Sequence, residues 1–142
     1  MYLNKYPNAS FVTVGLFVDI CSDKELRPDK GYITSPRYPL PYGKGKTCER
    51  NIVPPAGFLF HIEVLDVEME ARRTSGCYDF LYIRNPNNPA ETTQYCGDMY
   101  RFDDGQLGYF LEEVDLFFVS DGLPNSFKGF LMYFQGMHRY LP

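Results

Sequence analysis

The sequence predicts an all-β fold, an antiparallel β-sandwich, on three observations. No apolar stripe of useful length repeats every 3.6 residues, so amphipathic helices are not expected. Short segments rich in β-branched and aromatic residues stand between clusters of Gly, Pro and Asn, as strands do between turns. Their spacing along the chain is typical of a sandwich. The predicted strands are residues 31–34, 49–53, 58–69, 79–84, 94–96, 109–119 and 128–135.

The longest predicted strand shows which residues face the core. Residues 58–70 read FLFHIEVLDVEME, and the second half of this run alternates apolar and acidic side chains. Successive side chains of a strand point to opposite faces, so the apolar set faces the core and the acidic set faces outward. The apolar set is Leu65, Val67 and Met69, and the acidic set is Asp66, Glu68 and Glu70. Proline-rich residues 35–42 and 85–89 cannot continue a central strand and are predicted surface loops.

Size and charge limit the class of protein. The chain has 142 residues, of which 44% are hydrophobic, so it can fill one core, and we expect one domain at residues 21–136. Residues 1–20 are then an N-terminal lead or an extra strand, and residues 137–142 are a C-terminal tail.

The formal net charge is −4 and no basic run is longer than Arg72-Arg73, which argues against nucleic acid as a partner. The apolar segment 11–18 is too short to span a membrane.

The cysteines and one sequon indicate an oxidising, extracellular compartment. Four cysteines, Cys21, Cys48, Cys77 and Cys96, are well separated, and no CxxC pair begins a zinc or redox site. Disulfides therefore fit better than metal thiolates. Three pairings are possible, and we favour nearest neighbours. Asn8-Ala9-Ser10 is an N-glycosylation sequon, so Asn8 is a candidate glycosylation site in a secreted protein.

Three carboxylates, those of Glu68, Asp79 and Asp121, stand near predicted strand ends. If these ends meet at one edge, each pair of like charges about 4 Å apart costs on the order of 4 kcal/mol at an effective dielectric near 20. Calcium would offset this cost, because it accepts about six to eight oxygen ligands in a flexible shell. The alternative is that Asp66, Glu68 and Glu70 line a solvated strand face and that Asp121 belongs to a turn.

A series of short motifs runs in order from residue 21 to residue 135. They are Cys21, residues 31–39 (GYITSPRYP), Tyr42, Cys48, residues 55–57 (PAG), Cys77-Tyr78-Asp79, Tyr95-Cys96-Gly97, Ser120-Asp121 and residues 129–133 (GFLMY). This combination resembles a CUB domain. The resemblance implies a jelly-roll-like antiparallel β-sandwich with disulfides Cys21–Cys48 and Cys77–Cys96, found in secreted or cell-surface proteins.

The resemblance also implies a calcium site, by analogy with the calcium-binding members of that family. It implies Glu68, Asp79 and Asp121 as direct Ca²⁺ ligands, and Tyr42 as a supporting hydrogen-bond donor. A backbone carbonyl near Leu123 is expected to add a ligand.

Two positions depart from the pattern of the resembled family. The family often has a polar side chain directly after the SD pair, but here Gly122-Leu123-Pro124 intervenes and Asn125 is a possible substitute ligand. Arg50 stands where the family usually has Trp, which alters the packing of the core but not the site.

The expected function is calcium-dependent recognition of an extracellular protein that presents Lys or Arg. Three carboxylates around one Ca²⁺ leave a charge of about −1 at an exposed edge, where an ammonium or guanidinium group could approach. Because CUB domains usually occur beside other modules, the resemblance also implies neighbouring domains in a larger parent chain.

Two other classes of function compete with this expectation. An enzyme is disfavoured, and no catalytic residue is assigned, because His61 and His138 are the only histidines and no GxSxG, HExxH or phosphate-loop motif is present. The other alternative is a calcium-independent module that binds protein or carbohydrate through aromatic side chains. The candidate aromatic residues are Tyr100, Phe102, Tyr109 and Phe110.

Overall fold

Ten strands form two sheets in the computed structural model, which describes residues 16–27, 29–100 and 109–138. Sheet A contains β1 (Phe17–Asp19), β2 (Lys30–Thr34), β4 (Phe58–Glu68), β7 (Asp98–Tyr100), β8 (Tyr109–Leu111) and β10 (Gly129–His138). Sheet B contains β3 (Thr47–Ile52), β5 (Phe80–Arg84), β6 (Thr92–Tyr95) and β9 (Val114–Val119). The predicted all-β sandwich is confirmed.

The strands pair almost entirely antiparallel. Sheet A runs in the order β1-β2-β10-β4-β7, with β8 also paired to β4, and sheet B runs β3-β9-β5-β6. Among the described strands, the single parallel pair is β1 with β2, at the edge of sheet A. Strands that are distant in sequence therefore lie side by side.

The core lies between the two sheets and consists of the inward side chains of both. Along β9 and β10, buried and partly exposed positions alternate, as expected for strands with one face in the core. Phe118 of sheet B contacts Phe130 of sheet A with ring centroids 5.6 Å apart. The largest buried side chains include Phe60, Ile62, Phe118, Phe130, Met132 and Phe134.

Two disulfides, Cys21–Cys48 and Cys77–Cys96, cross-link the chain, and the predicted pairing is confirmed. The bridges close loops with sequence separations of 27 and 19 residues. In the chain-entropy model, each restricts the unfolded chain enough to stabilise the fold by roughly 3 to 4 kcal/mol. The second bridge also fixes the segment just before β5.

Strand β4 is irregular where it approaches the loops. Its pairing with β10 shifts register, because Leu131 lies opposite Asp66 whereas Met132 lies opposite Val64. Leu65 is therefore the extra residue of a β-bulge, which bends a strand and changes its twist. Val67 and Met69 are buried as the alternation predicted, but Leu65 is only partly buried and Asp66, predicted to face outward, is buried, because the bulge interrupts the alternation.

Several expectations about chain organisation stay predictions. Asn8 and Phe102 lie outside the described residues, and the side chains of Tyr100, Tyr109 and Phe110 are not described. The domain bounds at residues 21 and 136 are likewise untested. In the described ranges, no helix has the length and apolar composition that crossing a membrane requires.

A close contact between two loops fixes the start of β10. A Cβ atom added at Gly129 would lie 1.7 Å from the Ser35 hydroxyl oxygen, and Gly129 has a φ of +94°. The Ser35 hydroxyl accepts a hydrogen bond from the Phe130 amide at 2.9 Å and donates to the Lys128 carbonyl at 3.3 Å. Both space and backbone conformation therefore require glycine at position 129.

Replacing Gly129 with Ala should destabilise the domain by more than about 3 kcal/mol, because the new methyl group displaces Ser35 and the backbone must leave its conformation. Urea unfolding would measure the change. Gly122→Ala is the control, since nothing lies within 4 Å of a Cβ added there. Equal stability of the two variants would contradict this account of the contact.

The outer face of sheet B carries an ion pair that makes stability depend on pH. Arg84 Nη2 lies 2.9 Å from Asp115 Oδ2, and Asn51 Nδ2 donates to Asp115 Oδ1 at 2.8 Å. Partial burial alone would raise the pKa of Asp115, but the hydrogen bonds from Arg84 and Asn51 outweigh it and hold that pKa below its usual value. The carboxylate therefore stabilises the fold above its unfolded pKa of about 4, and this contribution is lost as the pH falls through the folded pKa.

Asp115→Asn should cost about 1 kcal/mol at pH 7, a value reduced because Arg84 is partly solvent-exposed. The difference from the unsubstituted chain should shrink as the pH falls through the folded pKa of Asp115. Urea unfolding along an acid series would measure it. Glu49→Gln, an exposed acid on the same face, should change stability by less than about 0.5 kcal/mol. A pH-independent effect of Asp115→Asn would refute the ion-pair explanation.

Candidate metal centre

Three carboxylates converge at one end of the sandwich. Single oxygen atoms of Glu70, Asp79 and Asp121 all lie within 4.8 Å of one another. Glu70 follows the end of β4, Asp79 directly precedes β5, and Asp121 follows β9. The sequence analysis considered such a meeting of strand ends with Glu68 as the first carboxylate, and the structure brings together Asp79 and Asp121 with Glu70. We call these three residues the acidic cluster.

Asp79 is the buried centre of the acidic cluster, with 1% of its surface exposed. Its Oδ1 accepts a hydrogen bond from the Asp121 amide at 2.7 Å, and its Oδ2 accepts one from the Tyr42 hydroxyl. The Cys77–Cys96 disulfide fixes the chain two residues before it. Asp79 is therefore held in place by groups from two other loops.

Tyr42 supports the cluster from beneath and is itself fully buried. Burial first, and then the hydrogen bond to Asp79, raise the pKa of Tyr42 far above its ordinary value. The phenol thus keeps its proton and serves as a donor to Asp79 at neutral pH. Its oxygen also accepts a weak hydrogen bond from the Glu70 amide at 3.4 Å. The structure therefore places Tyr42 in contact with two of the three cluster residues.

Glu70, and not Glu68, contributes the third carboxylate of the cluster. Both residues belong to the outward acidic set, but β4 ends at Glu68 and two further residues carry the chain about 7 Å along its direction. The Glu68 carboxylate instead accepts a hydrogen bond from the Lys128 amide at 3.2 Å. Glu70 is fixed at the edge because its carbonyl accepts a hydrogen bond from the Gly97 amide at 3.1 Å.

The strand alternation carried a signal for Glu70, since it included this residue in the outward set. What distinguishes Glu70 from Glu68 is the exact end of β4 and the pairing of Met69 and Glu70 with Gly97. This pairing is a tertiary contact, which sequence periodicity does not encode.

The loop after Asp121 is hydrogen-bonded to the segment that directly follows the proline-rich loop. The Asp121 side chain accepts a hydrogen bond from the Leu123 amide at 3.0 Å, and its carbonyl accepts one from the Gly45 amide at 2.6 Å. The Asn125 side-chain amide donates to the Gly43 carbonyl at 3.0 Å. Asn125 therefore has a structural partner, and its role as a ligand, like that of the Leu123 carbonyl, stays a prediction.

The chemistry of the cluster fits a hard divalent cation. Its donors are all carboxylate oxygens, which calcium prefers. At about 4.8 Å, each pair of ionised carboxylates repels by roughly 3 to 4 kcal/mol at an effective dielectric of 20. Glu70 Oε1 is buried and has no hydrogen-bond partner among the described residues. A buried carboxylate oxygen without a donor is unfavourable, and a metal ion would satisfy it.

The two histidines lie toward the other end of β4 from the cluster. His138 pairs with Phe58 at the start of β4, whereas Glu68 pairs with Gly129 at its end. His61 is partly buried on β4, with Nε2 3.9 Å from Glu63. Neither histidine adjoins the acidic cluster.

Fold and site together define a class of protein: a disulfide-linked β-sandwich that presents a carboxylate cluster at one end. The sequence model of the family described as "CUB domain" matches residues 21–134. The chain belongs to the CUB domain family. CUB domains are interaction modules of extracellular proteins and are generally non-catalytic.

Curated relatives are much longer than this chain. Bone morphogenetic protein 1 of Xenopus laevis is 32% identical over 112 residues, which are 78% of this chain and 15% of that protein. Adhesion G-protein coupled receptor G6 of Danio rerio is 36% identical over 73 residues, which are 51% of this chain and 6% of that protein. The match thus concerns one module of each relative.

Solved structures share the fold at lower sequence identity. The full extracellular region of zebrafish Gpr126/Adgrg6 matches with a TM-score of 0.64 and 24% identity, over 88% of this chain and 15% of that one. The MASP-1 CUB2 domain bound to Ca²⁺ matches with a TM-score of 0.62 and 21% identity, over 85% of this chain and 97% of that one. At this identity the likeness shows the fold.

Tyr42→Phe should destabilise the domain by about 1 to 3 kcal/mol, because it leaves the buried Oδ2 of Asp79 without a donor while Oδ1 keeps the Asp121 amide. Thermal and urea unfolding in a calcium chelator would measure the loss without a contribution from metal. Tyr32→Phe is the matched control, since the Tyr32 hydroxyl has no hydrogen bond within the described part of the chain. If the two variants were equally stable, the Tyr42–Asp79 hydrogen bond would not be a structural support of the cluster.

Proposed function

We propose that this domain recognises an extracellular protein partner in a calcium-dependent manner, through the acidic cluster. The observation that carries the proposal is the convergence of Glu70, Asp79 and Asp121, together with a buried oxygen of Glu70 that has no donor among the described residues. Ca²⁺ bound there is coordinated by oxygens of these three side chains. Water and backbone carbonyls would complete the shell.

Calcium would leave the site suited to a cationic side chain of a partner. Three carboxylates and one Ca²⁺ sum to a charge of about −1, held at an edge where Glu70 and Asp121 remain partly exposed. Charge-assisted hydrogen bonds from Lys or Arg are strong and directional. The proposed recognition is therefore sensitive to salt as well as to calcium.

Two features of the relatives support this proposal. The MASP-1 CUB2 domain was solved with Ca²⁺ bound, so a sandwich of this fold can hold calcium. The longer relatives include an adhesion receptor, and the structure that resembles this chain is an extracellular region. We therefore place this domain in the extracellular part of a larger protein, in line with its two disulfides.

Calcium would organise the loops more than it would stabilise the whole domain. Extracellular modules often bind calcium with Kd near 10⁻⁴ to 10⁻³ M. At millimolar calcium, binding of that strength stabilises the folded state by only about 0.5 to 2 kcal/mol. The disulfides and the core provide most of the stability of the fold, while the metal would fix the positions of the cluster side chains.

One observation favours a second candidate, calcium-independent binding of an anionic group. A cavity of about 540 Å³ is lined by Arg37, Lys44 and Lys46, with Asp19 as its one carboxylate. Tyr42, which donates to Asp79 of the acidic cluster, also lines this cavity, but none of the three cluster carboxylates does. Partner binding that persists in a chelator and weakens on substitution of Lys44 and Lys46 would favour this cavity.

Calorimetric titration of calcium into chelator-stripped protein should show one site per chain. Glu70→Gln should weaken binding at least about tenfold, since one less carboxylate balances the ion. Glu68→Gln is the matched control and should bind as the unsubstituted chain does, because Glu68 lies outside the cluster. Asp121→Ala should abolish binding.

The same titration distinguishes an error in the ligand set from an error in the proposed function. Loss of binding in Glu68→Gln with retention in Glu70→Gln would show that the ligand set is wrong. Absence of heat and of any thermal shift at several millimolar calcium in the unsubstituted chain would reject the proposed function itself.

A further inference from the structure

The segment between Glu70 and Asp79 carries a cation that already contacts the acidic cluster. Arg73 Nη2 lies 3.1 Å from Glu70 Oε2 and donates a hydrogen bond to it. The other oxygen of Glu70, Oε1, is the buried one without a hydrogen-bond partner among the described residues. The two oxygens of Glu70 therefore differ: Oε1 is available for a metal ion, and Oε2 holds a guanidinium group.

An aromatic ring completes the surroundings of this guanidinium group. The Arg73 Cζ atom lies 5.2 Å from the centroid of the Tyr78 ring, within the range of a cation–π interaction. The Tyr78 hydroxyl is hydrogen-bonded to the Ser75 hydroxyl at 2.8 Å, which fixes the orientation of the ring. Arg73 is thus held by a carboxylate and by an aromatic face at the same time.

The backbone presents Arg73 in a defined turn. The amides of Arg73 and Gly76 each donate to the carbonyl of the other at 2.9 Å. Gly76 has a φ of +113°, which only glycine adopts readily. Two residues separate the bonded pair, as in a tight β-turn. The arginine is therefore already positioned against Glu70 and is not a freely moving surface side chain.

We propose that Glu70 and Tyr78 form a binding site for a guanidinium group, and that Arg73 is its internal occupant, which a partner's arginine displaces. This inference rests on the proposed function, because it concerns the same acidic cluster. Arginine fits the site better than lysine: its planar group stacks on an aromatic ring and donates several hydrogen bonds in a fixed geometry, whereas an ammonium is a compact, strongly hydrated charge.

Because Arg73 occupies the site, a partner must bind tightly enough to displace it. With calcium bound, the cluster carries a charge of about −1, and Arg73 reduces it to about zero. A group tethered three residues away competes at an effective concentration on the order of millimolar. A single free cation therefore binds poorly, and a partner has to supply contacts beyond the arginine that enters the site.

Removal of Arg73 should open the site to small probes. We would titrate N-acetyl-arginine amide and N-acetyl-lysine amide into the calcium-saturated domain and follow the backbone amide resonances of Glu70 and Tyr78. Arg73→Ala should bind the arginine amide at least about fivefold more tightly than the unsubstituted chain. It should also bind the arginine amide more tightly than the lysine amide.

Arg72→Ala is the matched control, because it removes the same charge from the neighbouring residue. Arg72 donates to the Gln94 side chain at 3.3 Å and makes no described contact with the cluster. Arg72→Ala should respond to the probes as the unsubstituted chain does. Adding Tyr78→Leu to Arg73→Ala should remove the preference for arginine over lysine while leaving calcium binding intact.

Each outcome distinguishes this inference from the function on which it rests. Equal probe affinity in the unsubstituted chain, Arg72→Ala and Arg73→Ala, with normal calcium binding in all three, would overturn the inference alone. Equal affinity of Arg73→Ala for the two amides would overturn the preference for arginine. Absence of calcium binding in the unsubstituted chain would reject the proposed function and the inference together.

Discussion

The buried carboxylate of Asp79 is the constraint on which the functional end of this domain depends. It lies at one end of the sandwich with 1% of its surface exposed, and an unpaired carboxylate is costly in such a buried position. Hydrogen bonds from the Tyr42 hydroxyl and the Asp121 amide satisfy its two oxygens. Those partners come from the proline-rich loop and from the loop after β9. A single buried group thus fixes the relative positions of three segments.

The other two carboxylates of the cluster are less restrained. Glu70 holds Arg73 through one oxygen, while its other oxygen has no donor within the described residues. Within the described residues, the Asp121 carboxylate accepts a hydrogen bond only from the nearby Leu123 amide in the same loop. Asp79 is therefore preorganised by the fold, whereas Glu70 and Asp121 gain most from a cation. This division fits a metal that orders loops on a domain held together by its core and disulfides.

The periodicity of the sequence was sufficient to predict most of the strands, because residues that alternate between core and solvent are set by burial of one face. Differences occur where backbone pairing decides. The predicted strand 109–119 is two strands, β8 and β9, separated at Glu112 and Glu113, and β7 was missed because it is only three residues long. The parallel pairing of β1 with β2 was not predicted either, since no local pattern specifies which edge a short strand joins.

The sequence predicted a site built from carboxylates near strand ends, but not every residue that forms it. Asp79, Asp121 and Tyr42 lie together as the family resemblance implied, because short motifs beside a cysteine and at a strand end mark them in the sequence. Glu70 takes the position expected for Glu68, since the site depends on where β4 stops pairing with its neighbours. The sequence marks Arg73 only as half of the basic pair Arg72-Arg73. Its contact with Glu70 depends on the turn at residues 73–76, which sequence reasoning did not resolve.

A crystal structure of the domain grown with calcium, with anomalous scattering to locate the ion, tests the central claim most directly. The account predicts one Ca²⁺ about 2.3 to 2.6 Å from oxygens of Glu70, Asp79 and Asp121. It also predicts that the ion binds Glu70 Oε1 while Oε2 stays with Arg73. An ion coordinated by Glu68 in place of Glu70, or no ion at the acidic cluster at several millimolar calcium, would contradict it.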